Sequence, residues 1–478
     1  MPDRSRSLLT KLRSPLPWGF LAGGLCVAVF LTAGPTGVSH AAGRYDDLRF
    51  FTDVLSLIRT NFVDEVEQER LIEGAVRGML AELDPHSGYL DAEAFREMQI
   101  DTRGEFVGLG IEISKTREGF IEVVSPIEGT PAAAVGIRAR DSIVEICPTE
   151  TPPEWSEPCR STKGMELHEA VSHMRGRQGT IITIRIWREG FDQPEPYTIR
   201  RDTVKVASVT GRILEPGYAY LAVRQFQERT ADDLRRLHRK LEDEGEFKGL
   251  VLDLRNNPGG LLDQAVAVAD LFLDEGLLVS TKGRVESQVQ EFSARADTEG
   301  SYPIVVLVNA GSASASEIVA GALQDHHRAL IVGAQTFGKG SVQTLYPLVG
   351  SGGGLRLTTA LYFTPSGRSI QEVGIEPDIL VADRVHEGGD EEDKSAQRLR
   401  EEDLRGHITH DDAEPEGEEA AATDESLSDD PQLARALEVL KSWTYFERIQ
   451  RMREREEPVR SAAAPPASAE AESEAVNP

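Results

Sequence analysis

A strand–helix–strand unit near the middle of the chain constrains the fold more than any other stretch. Two apolar, β-branched runs, at 303–309 and 329–333, are bounded by turn residues, which is typical of strands buried on both faces of a sheet. The residues between them, from Ser314 to His327, predict a helix. A connection of this length joins parallel strands by a right-handed crossover, so the loops after both strands emerge at the same, carboxyl edge of the sheet. Open α/β sheets place their functional sites at that edge.

Two polar residues follow these predicted strands. Ser314 comes just after the first and Lys339 just after the second, so the topology brings them together although 25 positions separate them. The lysine could serve as a general base only if burial lowered its pKa from about 10.4 toward 7, at a cost of roughly 4 kcal/mol. Glycines on both sides of Lys339 would let the backbone bend it into a cleft. The pair predicts nucleophilic catalysis by serine.

Simpler interpretations of the same residues stay open. Ser314 and Glu317 form an S-x-x-E capping box, so spacing alone makes Ser314 as good a helix cap as a nucleophile. The stretch from Gly333 to Lys339 follows a strand and matches a phosphate-binding loop up to its lysine. The next residue, Gly340, stands where that motif has a Ser or Thr hydroxyl for Mg²⁺, which disfavours nucleotide binding.

The sequence GSASASEIVAGALQD, followed by TFGKGSVQ, resembles the C-terminal processing peptidases, also called tail-specific proteases. The match runs without gaps across the serine, lysine and glutamine positions. The resemblance implies that Ser314 is the nucleophile, Lys339 the general base and Gln343 the group that orients the lysine. It also implies an α/β catalytic domain with a parallel-sheet core of the ClpP/crotonase-like kind, which needs neither a metal nor another cofactor.

A glycine pair is predicted at the same edge of the sheet. Residues 247–254 indicate another buried strand, which is followed by the turn RNNPGG and an apolar helix. The family resemblance assigns the turn glycines, Gly259 and Gly260, to an oxyanion hole, with the N–H of Ala315 as their partner. Such donors stabilise a transition state by roughly 3–4 kcal/mol. A plain turn at the start of a helix is the alternative interpretation.

Residues 102–203 change to a pattern of short strands with one helix. Their first loop resembles the carboxylate-binding loop of a PDZ domain, and the following elements keep the PDZ order; the loop residues are Gly108, Leu109, Gly110 and Ile111. In a PDZ domain, consecutive backbone N–H groups hold a terminal carboxylate while the peptide adds a strand to the sheet edge. Arg175 and Arg177 follow the helix, where they would sense a bound tail, link the module to the catalytic domain, or lie in a solvated turn.

Two cysteines bracket a Pro-rich excursion, Cys147-PTETPPEWSEP-Cys159, where relatives in the family usually have a tight turn. In an oxidising compartment we expect the two to pair and close a small loop, which contributes about 2–3 kcal/mol to stability. The remaining cysteine, Cys26, lies in the N-terminal apolar run and is interpreted as part of a signal segment.

The N-terminus predicts export. Positively charged residues precede an apolar run from Trp18 to Ala33 and a stretch of small residues, which is the order of a secretory signal. We expect cleavage after Ala41 or Ala42. The run is short for a membrane span, and an uncleaved anchor in the inner membrane is the alternative. Residues 1–42 are therefore predicted to be a signal peptide or membrane anchor of a periplasmic or otherwise exported protein.

Composition and patterning place the remaining boundaries. Residues 43–101 carry two helical patterns and resemble the family's N-terminal helical region, which in relatives contributes to assembly; His86 within it is interpreted as a turn residue. Residues 384–430 hold 18 acidic against 5 basic residues, a net charge of −13 out of −28, so they predict a disordered linker. The other segments are a catalytic domain at 204–383, a helix at 431–456 and a low-complexity tail at 457–478.

Together these features predict an exported serine endopeptidase that captures the C-terminal tail of a substrate protein and cleaves it through an acyl-enzyme. The expected partners are substrate proteins with apolar tails, and the resemblance adds a homo-oligomer and an adaptor lipoprotein. The concentration of acidity in one linker argues against nucleic-acid binding. The alternatives are a non-catalytic PDZ binding scaffold with an inert protease-like domain, and a nucleotide-binding protein that uses the loop around Lys339.

Overall fold

The computed structural model describes residues 39–382 except 118, 154, 246, 296 and 297, together with residues 400–409 and 430–462. Most of the predicted signal segment and of the predicted linker, and the tail beyond residue 462, lie outside the described residues. Within those ranges, no helix combines the length and the apolar character needed to cross a membrane. The chain falls into two compact units, residues 1–78 and 79–478.

The first unit is helical, in the region where the sequence predicts helices. Helix α1 spans Ser39–Asn61, and helix α2 spans Gln68–Ala81, of which residues 79–81 belong to the second unit. The Arg59 side chain donates a hydrogen bond to Gln68 Oε1 at 2.8 Å, which ties α1 to the start of α2. Large apolar side chains of α1 are exposed to solvent, among them Leu48, Phe50 and Leu57.

The second unit begins with strand β1, Gly88–Leu90, and helix α3, Ala92–Arg103. The Asp91 side chain caps α3 by accepting two backbone N–H groups of its first turn, and Gly104 ends the helix with a φ of 70°. Strand β1 pairs antiparallel with residues 354–356. The region predicted as N-terminal helices therefore also supplies a strand to the α/β part of the chain.

A β-rich module follows and lies close to the predicted boundaries of 102–203. Its elements are β2 (Glu105–Gly108), β3 (Ile111–Lys115), β4 (Ile121–Pro126), α4 (Pro131–Ala134), β5 (Ser142–Pro148), β6 (Arg160–Ser161), α5 (Leu167–Met174), β7 (Ile181–Trp187), β8 (Glu195–Arg200) and β9 (Asp202–Lys205). The main sheet has the order β3-β4-β5-β7-β8, while β2 pairs with β9. Alternate residues of β7 are buried, because only one face of this sheet covers the module's core.

The α/β part occupies the rest of the second unit. Its elements are β10 (Val209–Glu215), β11 (Tyr218–Val223), α6 (Thr230–Glu242), β12 (Gly249–Asp253), α7 (Leu262–Asp270), β13 (Leu277–Gly283), β14 (Gln290–Ser293), β15 (Ile304–Val308), α8 (Ala315–Asp325), β16 (Ala329–Gly333), β17 (Ser341–Pro347), β18 (Gly354–Phe363), β19 (Ile379–Leu380) and α9 (Pro431–Ala462).

The central sheet of this part has the order β10-β11-β12-β15-β16-β19, and the strands from β11 to β19 pair in parallel. Every residue of β12 and β15 is buried, because the sheet is covered on both faces. Helices α6, α7 and α8 pack on one face, and α9 covers the other with Ala436 and Leu440. This two-sided burial explains why the strands are continuous apolar runs in the sequence.

A second, antiparallel sheet lies beside the first. Its order is β1-β18-β13-β14, and β17 also pairs with β18. Strand β17 begins two residues after Lys339, so this sheet fixes the chain that leaves the predicted lysine.

Residues 400–409 pack against the α/β part, which corrects the prediction that the whole of 384–430 is a disordered linker. A short 3-10 helix spans Glu401–Asp403, and Glu401 is completely buried. Its N–H donates to the Phe337 carbonyl at 3.1 Å. Acidic composition predicts disorder because carboxylates are costly to bury, but here His86 and Gln371 supply hydrogen-bond partners.

Candidate active site

Ser314 immediately precedes helix α8, just beyond the carboxyl end of β15, as the sequence predicts. Its backbone has a φ of 55° and a ψ of −111°, a conformation that costs a residue with a side chain of order 1–3 kcal/mol. The residue is 7% exposed, and its hydroxyl does not cap the helix. No hydrogen bond to this hydroxyl occurs among the described residues. The strained backbone therefore holds a buried hydroxyl that has no hydrogen-bond partner in the described part of the chain.

Glu317 connects the two loops that carry the predicted dyad. Its carboxylate is completely buried, and Oε2 accepts the backbone N–H of Ser314 at 2.6 Å and that of Lys339 at 3.0 Å. Oε1 accepts the Thr336 hydroxyl at 2.6 Å and the Gly338 N–H at 2.7 Å. Burial raises the pKa of Glu317 to about 7, although these four hydrogen bonds oppose the rise. Of the two contacts that define a capping box, only the one from the Glu317 side chain to the Ser314 N–H forms. The same side chain also binds the Lys339 loop, so it joins two loops.

Lys339 lies in the loop between β16 and β17, half-buried among charged groups. Burial lowers the pKa of its amine and the Arg356 guanidinium lowers it further, whereas Glu401, Glu317 and Asp84 oppose the change. Within the part of the chain that the structure describes, the amine forms no hydrogen bond or ion pair. A lysine with a lowered pKa and an unengaged amine can accept a proton.

Among the hydrogen bonds of the described residues, none joins Gln343 to Lys339, whereas the family resemblance implies that Gln343 orients the lysine. Its side-chain N–H₂ donates to Ser341 Oγ at 2.9 Å. The two residues are two positions apart on β17, and the pairing with β18 is irregular between Val342 and Gln343. In this structure the amide therefore binds its own strand, which corrects the predicted orienting contact.

The predicted oxyanion turn does lie beside Ser314. Gly259 has a φ of 100°, and a Cβ built on it would come within 2.9 Å of Ser314 Cβ and 3.0 Å of the Ala315 nitrogen. The N–H of Gly259 donates to Asn257 Oδ1 at 2.9 Å, so it is already used inside the turn, which corrects its assignment as an oxyanion donor. The N–H groups of Gly260 and Ala315 form no hydrogen bond with any described residue, and they remain candidate donors.

The predicted carboxylate-binding loop connects β2 to β3. Gly110 has a φ of 79°, and a Cβ there would overlap the Thr130 side chain. The Leu109 carbonyl accepts the N–H of Ala132 at 3.0 Å, and the Gly110 carbonyl accepts that of Ile127 at 2.9 Å. These bonds fix the loop next to β3, the outer strand of the main module sheet. Gly108, at the end of β2, and Ile111, at the start of β3, flank it.

Arg175 lies at the end of helix α5 and is not in a solvated turn. Its guanidinium carbon is 5.3 Å from the centre of the Phe106 ring, and Nη1 is 3.2 Å from Glu97 Oε1. Glu97 belongs to α3, the helix that connects β1 of the α/β part to the module. Arg177, by contrast, is exposed. Of the predicted roles, these contacts favour the one in which Arg175 links the module to the rest of the chain.

The excursion between β5 and β6 is closed by a disulfide between Cys147 and Cys159. Trp155 within it packs into the core of the module, and its ring meets His173 of α5 edge-on with centres 4.7 Å apart. The excursion is therefore part of the folded module rather than a free loop.

Sequence reasoning missed a polar cluster beside Lys339. His86 Nε2 lies 2.8 Å from Glu401 Oε2, and Gln371 Nε2 donates to Glu401 Oε1 at 2.9 Å. Gln371 Oε1 in turn accepts the N–H of Gly340 at 3.0 Å. His86 is thus more than the turn residue that its local sequence indicates. Its partner lies 315 positions away, so no local pattern could have revealed the pair.

Two clusters among the described residues present ligand atoms near enough to one another for a metal ion. One contains Glu145 and the two cysteines, which are consumed by the disulfide. The other consists of His238, Glu242 and Glu299, but Arg239 donates two hydrogen bonds to Glu299 Oε1, at 2.8 and 3.1 Å. Neither cluster contains a residue that the sequence predicts as catalytic.

The chain is similar to known proteases over most of its length. Residues 217–381 match Peptidase family S41, and residues 34–94 match the family described as activating protease CtpB N-terminal domain. The carboxy-terminal-processing protease of Bartonella bacilliformis is 45% identical over 428 residues, which cover 88% of this chain and 95% of that protein. The carboxy-terminal processing protease CtpA of Bacillus subtilis is 31% identical over 379 residues, 76% of this chain and 78% of that protein. Among solved structures, the photosystem II D1 C-terminal processing protease is 30% identical with a TM-score of 0.40, over 70% of this chain and 92% of that one.

Proposed function

Since the chain belongs to the carboxy-terminal processing proteases of peptidase family S41, and so is a protease that acts on protein substrates, we propose that it is a serine endopeptidase with a Ser314–Lys339 dyad. The observation that carries the proposal is the shared carboxylate of Glu317, which binds the backbone of both residues. The lowered pKa of the Lys339 amine supports its role as the base.

In the proposed reaction, Ser314 Oγ attacks the carbonyl carbon of a substrate peptide bond while neutral Lys339 takes the hydroxyl proton. The tetrahedral intermediate then collapses, the C–N bond breaks, and the Lys339 ammonium returns a proton to the leaving amine. The resulting ester on Ser314 is hydrolysed by a water molecule that Lys339 deprotonates. Free carboxylic acid and free Ser314 complete the cycle without any cofactor.

The negative charge of the intermediate needs donors beside Ser314. The N–H groups of Gly260 and Ala315 are suited to this role, because Ala315 is the first residue of helix α8 and its N–H adds to the positive end of the helix dipole. Gly259 contributes differently: without a side chain, it lets the turn approach Ser314 closely.

We assign tail capture to the β-rich module, acting as a PDZ domain. The outer strand β3 can accept an added strand from an extended peptide, and the adjoining loop from Gly108 to Ile111 would hold the terminal carboxylate. The contact of Arg175 with Glu97 would connect this event to the helix α3. Substrates would be proteins with apolar C-terminal tails.

Export and assembly complete the proposal. The disulfide between Cys147 and Cys159 supports an oxidising compartment such as the periplasm. The exposed apolar side chains of α1, with Leu48 60%, Phe50 71% and Leu57 62% exposed, support docking of a second copy or of an adaptor lipoprotein on the first unit.

The test is cleavage of an unfolded protein with an apolar C-terminal tail, either free or amidated, by the wild-type enzyme and by Ser314→Ala and Lys339→Ala. We expect only the wild type to cut, and to cut the amidated substrate more slowly because amidation removes the terminal carboxylate. Cleavage by Ser314→Ala would reject the nucleophile. Equal cleavage of both tails would reject capture of the carboxylate. If none of the proteins cuts and Ser314 resists acylation by a fluorophosphonate, the chain is an inert scaffold.

A further inference from the structure

The buried residue Glu401 contacts the loop of Lys339 through its backbone. Its N–H donates to the carbonyl of Phe337, two residues before the lysine, at 3.1 Å. Glu401 is 0% exposed, although it lies in the most acidic stretch of the sequence. A carboxylate is buried to this degree only where nearby groups compensate its charge and its hydrogen bonds.

The side chain of Glu401 reaches the other end of the same loop. Oε1 accepts the Gln371 amide N–H at 2.9 Å, and Gln371 Oε1 accepts the N–H of Gly340, the residue after Lys339, at 3.0 Å. His86 Nε2 closes the cluster at 2.8 Å from Glu401 Oε2. Glu401 therefore constrains the lysine loop on both sides of the lysine.

The rest of the segment is anchored to the neighbouring loop. Arg400 Nη2 donates to the carbonyls of Glu372 and Val373, both at 3.3 Å. His407 Nε2 lies 2.6 Å from Glu372 Oε1. These contacts at both ends of the segment hold Glu401 in place.

We propose that Glu401 is a positioning residue for the general base Lys339. The proposal rests on the Ser314–Lys339 dyad of the proposed function. Glu401 orders the backbone on either side of Lys339 and places a negative charge near its amine. It touches no substrate atom and acts only through the lysine.

Among the described residues, the charges that act most strongly on the Lys339 amine are those of Glu401 and of three other groups. Arg356 on β18 favours the neutral amine, while Glu317 on α8, Asp84 before β1, and Glu401 favour the ammonium. Removing the charge of Glu401 alone therefore lowers the pKa of Lys339, so that the neutral, reactive amine is present at lower pH. A residue with a merely structural role would not change this pH dependence.

The experiment measures the rate at which a fluorophosphonate labels Ser314 in the full-length enzyme between pH 5 and 10. We compare the wild type with Glu401→Gln, Glu401→Asp and the matched control Glu402→Gln, whose side chain is 45% exposed and paired with Arg400. In Glu401→Gln we expect the acidic limb of the profile to move down by about one pH unit. We also expect the plateau rate to fall about tenfold, because Lys339 would be held less precisely. Glu401→Asp should restore the position of the limb, and Glu402→Gln should match the wild type.

A second variant keeps the proposal testable if Glu401→Gln does not fold. Gln371→Met breaks the link between Glu401 and Gly340 but keeps the charge, so the plateau should fall while the limb stays in place. Wild-type profiles in either Glu401→Gln or Gln371→Met would overturn the positioning role. Failure of the dyad itself gives a different result, because the wild type would then be labelled no faster than Ser314→Ala or no faster than Lys339→Ala.

Discussion

Ser314 and Lys339 donate their backbone N–H groups to the same oxygen, Oε2 of Glu317, at 2.6 and 3.0 Å. The two loops that these residues occupy follow different strands, so a single buried carboxylate fixes the spacing of the predicted nucleophile and base. The Glu317 carboxylate accepts four hydrogen bonds in all, so a substitution at this residue tests whether it holds the site together.

Glu317→Gln should abolish most of the activity. An amide offers one acceptor oxygen where the carboxylate offers two, so its NH₂ group must face backbone N–H groups, either those of Ser314 and Lys339 or that of Gly338, which then have no acceptor. We expect kcat/KM to fall at least about 100-fold and the free energy of unfolding to fall by about 3 kcal/mol, the cost of leaving buried donors unpaired. Tail cleavage and thermal unfolding measure the two effects. The exposed change Glu438→Gln serves as control, and wild-type kinetics in Glu317→Gln would contradict the role of the shared carboxylate.

Lys339→Met should inactivate the enzyme and stabilise it. The folded-state pKa of Lys339 lies below its usual value of 10.5, so the unfolded chain binds more protons between the two values and wild-type stability rises with pH across that window. Methionine carries no charge to bury, so we expect Lys339→Met to be more stable than the wild type at pH 7, with the difference closing toward pH 10.5. Denaturant unfolding at several pH values measures it, with the surface change Lys115→Met as control. If Lys339→Met were less stable than the wild type, burial of the lysine charge would not destabilise the folded enzyme.

Gly259→Ala should displace the nucleophile. A Cβ at this position would lie 2.9 Å from Ser314 Cβ and 2.8 Å from the Ala313 carbonyl, so the serine loop must move. Gly350 has nearly the same φ, 99° against 100°, but open space around it, so Gly350→Ala separates backbone strain from the clash. Both variants should lose about 1 kcal/mol of stability from strain, while only Gly259→Ala should lose kcat, by about 100-fold or more. Equal kcat in the two variants would reject the close approach to Ser314.

Arg175→Met should weaken the response to a free tail. The change removes the ion pair with Glu97 and the stacking on Phe106, and with them the contact between helix α5 and helix α3. We expect the ratio of cleavage rates for free and amidated tails to fall toward one. The neighbouring, exposed Arg177→Met carries the same charge change and should keep the wild-type ratio. If both variants behave alike, Arg175 does not couple tail binding to the α/β part.

The sequence predicts the strands and the helix around Ser314 and Lys339, because local hydrophobic patterns determine them. The apolar runs of β15 and β16 are continuous because both faces of the sheet are covered, and this pattern put Ser314 and Lys339 at one edge. The family resemblance then supplied chemical roles that spacing alone left open. The predicted hydrogen bond of Gln343 to Lys339 is replaced, in the described part of the chain, by one to Ser341 on the same strand.

The environment of Lys339 could not be read from the sequence. Glu401 lies in an acidic stretch whose composition indicates disorder, and its burial depends on His86 and Gln371, which are distant along the chain. The use of the Gly259 N–H within its own turn depends likewise on the orientation of the Asn257 side chain. Such long-range and side-chain-specific contacts leave no periodic signal in the sequence.

The central claim is that Ser314 is a nucleophile activated by Lys339, and covalent labelling tests it most directly. The full-length enzyme, Ser314→Ala and Lys339→Ala are each incubated with a fluorophosphonate, and the adduct is located by peptide mass mapping. We predict one adduct, on Ser314, in the wild type, none on this peptide in Ser314→Ala, and labelling slowed about 100-fold or more in Lys339→Ala. An adduct on another residue, or equal labelling of Ser314 with and without Lys339, would contradict the dyad.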